Sequence, residues 1–409
     1  ARAQGAVDFS RGAAGQSEEL QAAAVDLYVQ NGKRLHKAVT SDGPARILAT
    51  QQATRSIITA GKFEAHFDAQ NRMRSVIGTP DATIVSSIPG QPERTASAHQ
   101  LTANFNGTNE ITSADLTGNF HYQEGQRSAT ADRARYNVEE GTYLLSGSPR
   151  VVESGASLSA ESLLLNRKTG MVYGKGSVKT TYNDFKSQPN GAMLGSSEPV
   201  HVTGTSFTAS QGAGTARYTA ARLWQGANIV EAPSLTFDKI HRSLHAKGGQ
   251  SGRVTSVFLE SDKNGKSTPL NVTADRLSYV DAERKAVFSG NVLIRSASAI
   301  MHADTVQVLL LARSGQGGSQ LDRIVAEGDI RIEQGDRRAT GERMIYTAQE
   351  QKFVLTGSKS HPPSIFDAEH GRISGDSLTF YTQGDRVLVG SGDSAKKLTP
   401  TRTRDASKK

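Results

Sequence analysis

The sequence contains no cysteine and few aromatic residues, and both shortages narrow the classes of protein that it can encode. Without cysteine, its 409 residues can form no disulfide, no thiolate zinc site and no thiol nucleophile. Aromatic residues make up 6% of the chain and apolar residues 36%, which predicts a thin, elongated core. No apolar run approaches the roughly 18–20 residues that a transmembrane helix needs.

The excess positive charge is concentrated at the C-terminus. The formal net charge is +8, and residues 396–409 contain six Lys or Arg residues against one Asp, so the body is nearly balanced. A nucleic-acid binder more often carries a basic patch interleaved with aromatic residues. We therefore predict no nucleic-acid partner and a disordered basic tail over residues 396–409.

Three stretches of the chain repeat one pattern. They are ADRARYNVEEGTYLLSG (131–147), ADRLSYVDAERKAVFSG (274–290) and GERMIYTAQEQKFVLTG (341–357). Each has an acid followed by arginine, a tyrosine four residues after the acid, and a glycine fifteen residues after it. Self-similarity of this kind indicates a solenoid or an array rather than a catalytic domain with a single pocket.

Each copy predicts two strands joined by a polar turn, NVEEG, VDAER or TAQEQ. The repeated glycine predicts a bulge or bend where a strand turns a corner, and the repeated acid and arginine predict strand starts and pairs between strands. Near the N-terminus, Asn31-Gly32 predicts a hairpin turn. Alternation places on one face the residues two and four before each glycine, all of them apolar: Tyr143, Leu145, Ala286, Phe288, Phe353 and Leu355.

A segment rich in turn-forming residues, SQPNGAMLGSSEP, separates two halves of the chain. We predict an N-terminal domain over residues 1–188, a loop over 189–199, a C-terminal domain over 200–395 and the tail over 396–409. Because the sequence begins Ala-Arg-Ala-Gln, we also expect that an export signal or membrane anchor has been removed.

Residues that could carry other chemistry are scattered. His241 and His245 are four apart, but in a strand-rich region they would not share a helical face. No serine lies in a Gly-x-Ser-x-Gly elbow, and GSGDSAKK lacks the spacing of a phosphate-binding loop. We predict no catalytic residue, no metal and no cofactor. Two alternatives from other classes stay open: a β-solenoid that binds or cleaves polysaccharide, and a structural repeat protein of the cell envelope.

The repeats resemble the OstA-like family of lipopolysaccharide-transport proteins, which includes LptA and related LptC-type and LptD N-terminal domains. The resemblance is carried by ADRLSYVDAERKAVFSGNV, by IVAEGDIRIEQGDRRATGERMIYTAQEQKFVLTG and by ISGDSLTFYTQGDRVLVGSG. It extends from about residue 200 to 392 and is looser from about 100 to 180. Over residues 1–100 only the general residue pattern is similar. Whether the N-terminal half corresponds to an LptC-type or a second LptA-type unit stays open.

The resemblance implies an all-β, elongated, half-open β-jelly roll (β-taco) built of repeated antiparallel rungs in the periplasm. It implies an apolar trough that holds the acyl chains of lipopolysaccharide, or of a related glycolipid, during passage from the inner to the outer membrane. The implied protein partners are other proteins of the OstA fold, joined by strand addition, and further copies of this chain. Alternation then predicts the trough residues Phe288, Val292, Ile294, Ile330, Ile332, Phe353 and Leu355, and a docking edge formed by Val387, Leu388 and Val389.

Overall fold

The computed structural model of the protein describes most of the chain. The described residues are 1–13, 16–108, 110–183, 198–250, 252–261, 267–297, 299–311, 321–367, 371–381 and 387–390. Within these ranges the chain forms strands and turns, which confirms the all-β prediction, and it has no helix that could cross a membrane. The predicted tail, and the predicted loop up to residue 197, lie outside the described residues.

The described residues form 33 strands. The first seventeen are β1 (Arg2–Ala13), β2 (Gln16–Gln30), β3 (Arg34–Ser41), β4 (Ala45–Gln51), β5 (Thr54–Ala60), β6 (Lys62–Phe67), β7 (Met73–Thr79), β8 (Ala82–Ser87), β9 (Arg94–Ala98), β10 (Gln100–Phe105), β11 (Ile111–Glu124), β12 (Arg127–Asn137), β13 (Thr142–Ser146), β14 (Arg150–Glu153), β15 (Ala156–Ser159), β16 (Ser162–Asn166) and β17 (Met171–Tyr182). The others are β18 (Val200–Ser210), β19 (Thr215–Gln225), β20 (Asn228–Asp238), β21 (Ser243–Lys247), β22 (Val254–Ser261), β23 (Ser267–Ala274), β24 (Arg276–Val280), β25 (Lys285–Arg295), β26 (Ile300–Leu310), β27 (Leu321–Gln334), β28 (Arg337–Thr347), β29 (Lys352–Thr356), β30 (Ser364–Asp367), β31 (Gly371–Ser374), β32 (Ser377–Tyr381) and β33 (Val387–Gly390).

The chain divides into two compact units. Unit 1 contains Ala1–Asp184 and Thr203–Ala216, and unit 2 contains Phe185–Val202 and Arg217–Lys409. Strands β1–β17 therefore belong to unit 1 and β20–β33 to unit 2, while the division falls within β18 and β19. The predicted domain boundaries at residues 188 and 200 stay predictions.

Long strands in unit 2 bend and pair with different neighbours on the two sides of the bend. In β25, residues 285–289 pair with β24, whereas residues 293–295 pair with β23. The strands β26, β27 and β28 behave in the same way, and all pairings are antiparallel. The bends thus divide unit 2 into two sheets. Sheet A contains β21, β24, β29, β32 and β33, sheet B contains β22, β23, β30 and β31, and the long strands contribute one part to each.

Unit 1 is built by the same rule. Its sheet A contains β3, β6, β7, β10, β13 and β16, and its sheet B contains β4, β5, β8, β9, β14 and β15. The long strands β2, β11, β12 and β17 contribute to both sheets. The predicted hairpin is confirmed, because Asn31 and Gly32 join β2 to β3 with positive φ angles of 51° and 68°.

The repeated glycine marks the bend, as the sequence predicts. Gly290 has a φ of +81°, and Asn291 follows with a φ of 47°. The backbone N–H of Asp275, the repeated acid of the same copy, donates to the Gly290 carbonyl over 3.0 Å. A Cβ on Gly290 would collide with the Asp275 carboxylate and lie 2.8 Å from its Cβ. The same left-handed pair, a glycine and its successor, recurs at Gly118-Asn119, Gly147-Ser148, Gly176-Ser177 and Gly328-Asp329.

The other repeated residues behave as predicted in part. Arg133 on β12 donates from Nε to Asp115 on β11 over 3.1 Å, and Arg343 on β28 forms an ion pair of 3.2 Å with Glu327 on β27. Pairing between neighbouring strands is therefore confirmed for these two arginines. The third copy departs from the rule, because Gly357 is not among the left-handed residues. There the backbone oxygen of His361 occupies the space that a Cβ would need.

Candidate functional site

In unit 2 we call the faces of sheets A and B that contact each other the inner faces. On the inner face of sheet A, the residues nearest the bends form a fully apolar row. Its members are cross-strand neighbours, and none is more than 2% exposed. We name this set row A1: Ala246, Leu277, Phe288, Val306, Ala326, Met344, Leu355 and Leu378. Two of the predicted trough residues, Phe288 and Leu355, therefore lie in the deepest part of the inner face.

A second row lies one inward position farther from the bends. Row A2 consists of Leu244, Tyr279, Ala286, Val308, Ile324, Tyr346, Phe353 and Phe380. The rings of Tyr346 and Phe353 lie 4.4 Å apart between centroids, and those of Phe353 and Phe380 lie 5.0 Å apart. Phe353 and Phe380 are half-buried, so the row keeps apolar surface within reach of a ligand.

Sheet B contributes the opposite wall. The second set of inward positions from the bends on sheet B is named row B2. It consists of the cross-strand neighbours Val230, Ser256, Val272, Ile294, Met301, Ile332, Ala339, Ile365 and Ile373. The predicted residues Val292 and Ile330, each 1% exposed, lie between this row and the bends. Along β27 the predicted alternation is confirmed: Ile330 and Ile332 lie on the inner face, and Arg331 is exposed on the outer face.

Side chains from the inner faces of sheets A and B contact each other across the space between the sheets. Phe258 of sheet B packs edge-to-face on Phe288 of sheet A, with ring centroids 6.3 Å apart. Leu355 of sheet A occupies the space beside Gly341 of sheet B, where a Cβ would lie 2.7 Å from its Cδ1. The inner faces are therefore filled by their own side chains around Phe258 and Leu355. Farther away they expose part of their apolar surface in the half-buried residues Val308, Ile324, Phe353, Phe380, Met301 and Ile332.

All seven predicted trough residues thus lie on the inner faces of unit 2, and contact with lipid stays a prediction. Sequence reasoning missed most members of rows A2 and B2, including Val308, Ile324 and Phe380. For these three residues the signal that could have found them is register, because Val308, Ile324 and Phe380 lie directly across from the repeat residues Ala286, Tyr346 and Phe353.

Unit 1 has a comparable inner face, of which the sequence predicted only the part formed by Tyr143 and Leu145. On sheet A, buried residues form the row Phe63, Leu101, Leu116, Ala134, Leu145 and Leu163, in which Gly78 separates Phe63 from Leu101. On sheet B, the corresponding cross-strand row is Leu20, Ile47, Ile58, Ile84, Ala96, Tyr122, Ala129, Val151 and Leu158. The apolar residues of ARILATQ and TRSIITA carry this signal, but neither segment belongs to a repeat copy.

Ion pairs line the margin of sheet B in unit 1, at the strand ends farthest from the bends. Arg94 lies 2.6 Å from Glu124, Glu124 lies 3.3 Å from Arg127, and Arg127 also pairs with Glu153. Tyr122, in the apolar row, donates its hydroxyl to Glu124 over 3.0 Å. Burial, and then the hydrogen bond to the Glu124 carboxylate, raise the pKa of Tyr122 to about 12. A polar margin therefore borders the apolar inner face.

The predicted docking edge is the last strand of sheet A. Within the described residues β33 pairs with β32 alone, so its other side has no strand partner there. Its register places position 389 beside Leu378 of row A1 and position 387 beside Phe380 of row A2. Leu388 lies across from Thr379, on the opposite face. A strand added to this edge would therefore extend both inner rows.

The described part of the chain contains no group of three or more His, Asp or Glu side chains that could hold a metal ion. The two histidines considered from the sequence have separate partners. His241 Nδ1 lies 2.7 Å from an Asp238 oxygen, and His245 lies between the hydroxyls of Ser243 and Ser278 at 3.2 and 3.1 Å.

The sequence was compared with protein families. The model of the family described as LptA/(LptD N-terminal domain) LPS transport protein matches residues 55–171, in unit 1, and residues 271–386, in unit 2. These two ranges make up more than half of the chain. The chain belongs to this family of LPS transport proteins. The first match begins within residues 1–100, where the sequence showed only a similar general residue pattern. The matched ranges omit residues 200–270, which the sequence resemblance had included.

Matches to individual proteins cover less of the chain than the family match does. The chain is 30% identical over 112 residues to the uncharacterized protein R00383 of Rhizobium meliloti (strain 1021), which covers 27% of this chain and 58% of that relative. The match therefore spans little more than half of the relative's length. Among solved structures, LptH, the LptA homologous periplasmic component of the lipopolysaccharide transport device from Pseudomonas aeruginosa, is 20% identical. The structural match covers 34% of this chain and 93% of LptH, with a TM-score of 0.26.

Proposed function

We propose that this member of the LPS transport family binds the acyl chains of lipopolysaccharide between its sheets A and B and passes the lipid from the inner toward the outer membrane. The observation that carries the proposal is the pair of partly exposed apolar rows, A2 and B2. Their half-buried members Val308, Ile324, Phe353, Phe380, Met301 and Ile332 lie on several strands of both sheets, so the accessible apolar surface is not confined to one strand.

The energetics favour a surface of this kind. An acyl chain of about a dozen methylenes costs on the order of 10 kcal/mol to move through water, at roughly 0.8 kcal/mol per CH₂. Contact with Phe353, Phe380, Ile332 and their row neighbours would remove most of that cost. The step needs no covalent chemistry, so it requires neither a cofactor nor a catalytic residue.

The polar margin of unit 1 fits the head-group end of a lipid bound in that same unit. Glu124, Arg94 and Arg127 hold their charges at the strand ends, where the sugar and phosphate groups of a glycolipid would meet water. An amphipathic ligand in unit 1 would therefore place its acyl chains along the apolar row that contains Tyr122 and its head group beyond the margin. We infer a periplasmic location from this function.

The proposal also includes assembly through the strand edge. Edge strands present unpaired N–H and C=O groups that accept a strand from another protein. Because positions 387 and 389 continue rows A2 and A1, strand addition at β33 would join the apolar surface of this chain to that of its partner. The expected partners are other proteins of the same fold, including further copies of this chain.

Photo-crosslinking at two adjacent positions of β27 tests the lipid site. A photoreactive residue at Ile332, on the inner face, should capture lipopolysaccharide, and one at Arg331, on the outer face, should capture much less. The two positions share one strand and one local backbone, so the comparison isolates the face. Equal labelling at both positions would contradict the proposed site.

A proline substitution tests the edge. Leu388→Pro removes a backbone donor and clashes with strand pairing, so it should abolish crosslinking to a partner while circular dichroism stays unchanged. Leu388→Ala keeps the backbone donor and serves as the control, which should crosslink normally. Normal crosslinking of the proline variant would show that docking uses another surface.

A further inference from the structure

A serine lies within the apolar row B2. Ser256 is in the middle of β22, with Val230 and Val272 as its cross-strand neighbours. Ser256 is 0% exposed, and these two valines are 1% and 2% exposed. Alternation along β22 puts Ser256 on the inner face, together with Val254 and Phe258. Its hydroxyl is therefore enclosed between two aliphatic side chains.

The hydroxyl of Ser256 has no hydrogen-bond partner within the described part of the chain. The Nε atoms of Arg46 and Arg284 also lack a partner there, but other buried hydroxyl groups are satisfied. Thr40 accepts from the N–H of Phe63 over 2.8 Å, and Ser364 shares a hydrogen bond of 3.0 Å with Thr340. A hydroxyl that has lost water without gaining a partner destabilises the fold. Alanine or valine would avoid this cost, so the serine needs a different explanation.

An aromatic contact closes the space beside Ser256. Phe258 lies one inward position farther from the bends on the same strand, and its ring meets Phe288 of row A1 edge-to-face at 6.3 Å. The contact crosses from sheet B to sheet A on the side of Ser256 away from the bends. A ligand that reached the hydroxyl from that side would take the place of the Phe258 ring.

We infer that Ser256 is a specificity residue that hydrogen-bonds an oxygen atom carried by a fatty acyl chain, either a hydroxyl on the chain or an ester carbonyl. The inference rests on the proposed function, because it requires acyl chains between sheets A and B. A serine hydroxyl can both donate and accept, so it suits either oxygen. A site with a buried polar group discriminates against a ligand that leaves this group unpaired. Unit 2 therefore prefers acyl chains that carry an oxygen to plain hydrocarbon chains of equal length.

Calorimetric titration with three small probes tests the preference. The probes are a fatty acid, the hydroxylated fatty acid of the same length, and the methyl ester of the unsubstituted acid. The full chain should bind the hydroxylated acid or the ester about tenfold more tightly than the plain acid, and the stronger of the two identifies the oxygen. Ser256→Ala should lose this preference while binding the plain acid as before. Thr255→Ala, on the outer face of the same strand, should keep it.

Thermal unfolding of the lipid-free protein gives a second readout. Because the unpaired hydroxyl destabilises the empty protein, Ser256→Ala should raise the Tm by about 2–4 °C. A fall in Tm, or an unchanged preference for the oxygenated chain in Ser256→Ala, overturns the inference. If all three probes bind the full chain equally, the specificity role fails and the proposed function stands. If none of them binds, the proposed function fails and the inference fails with it.

Discussion

Replacing Gly290 with alanine should destabilise unit 2 for two separable reasons. The φ of +81° places residue 290 in a conformation that costs a residue with a Cβ about 1–2 kcal/mol. The added methyl group would also collide with Asp275, which lies between β23 and β24 and whose Cβ is 2.8 Å away. Because a Cβ cannot move without its backbone, this overpacking adds about 1–3 kcal/mol. The free energy of unfolding of unit 2 should fall by the combined amount.

Gly335 provides a matched control. It lies in the turn between β27 and β28 with a φ of +56°, and a Cβ there would meet nothing within 4 Å. Gly335→Ala should therefore show the conformational cost alone. Denaturant unfolding can be followed through Trp224, the single tryptophan of the chain, which lies in unit 2. Equal destabilisation by the two substitutions would refute the packing of the repeated acid against the repeated glycine.

Two further predictions concern the inner faces. Leu355→Ala, at a fully buried position of row A1, should lower the free energy of unfolding of unit 2 by about 2–5 kcal/mol. Ile240→Ala, at a side chain that is 64% exposed, should lower it by less than about 0.5 kcal/mol. Similar losses for the two variants in denaturant unfolding would contradict the assigned core. Burial and Glu124 raise the pKa of Tyr122 from 10.0 to about 12, so its contribution to stability is complete below pH 10 and disappears as the pH rises through 12. Alkaline titration followed by tyrosinate absorbance should show a group near 12 that Tyr122→Phe removes, and an unchanged titration curve would contradict the buried hydrogen bond.

The sequence predicts turns, strand faces and bends best where residues adjacent in the chain determine them. Asn31-Gly32 specifies a hairpin through its own backbone preferences. The alternation of Ile330 and Ile332 with Arg331 specifies a face, because one side of the strand is apolar and the other charged. The repeated glycine predicts the bend because only a residue without a Cβ fits beside the acid at Gly290.

The remaining features depend on contacts between distant parts of the chain. Leu144 is apolar yet 40% exposed, while its neighbour Leu145 is 4% exposed, so composition alone could not choose the inner face of β13. The same ambiguity affects Val287 beside Phe288. The pairing of β21 with β24 and of β23 with β25 follows from the bends, and no local pattern encodes it. Ser256 was missed because its environment is set by strands β20 and β23.

The most direct test of the proposed function is mass spectrometry of the lipid that copurifies with the protein from envelope extracts. The full chain should carry lipopolysaccharide. Ile332→Glu, which places a charge on the inner face, should lose it, and Arg331→Glu, with the same new charge on the outer face, should retain it. Copurification of equal amounts of lipopolysaccharide with both variants, or of none with the full chain, would contradict acyl-chain binding between sheets A and B.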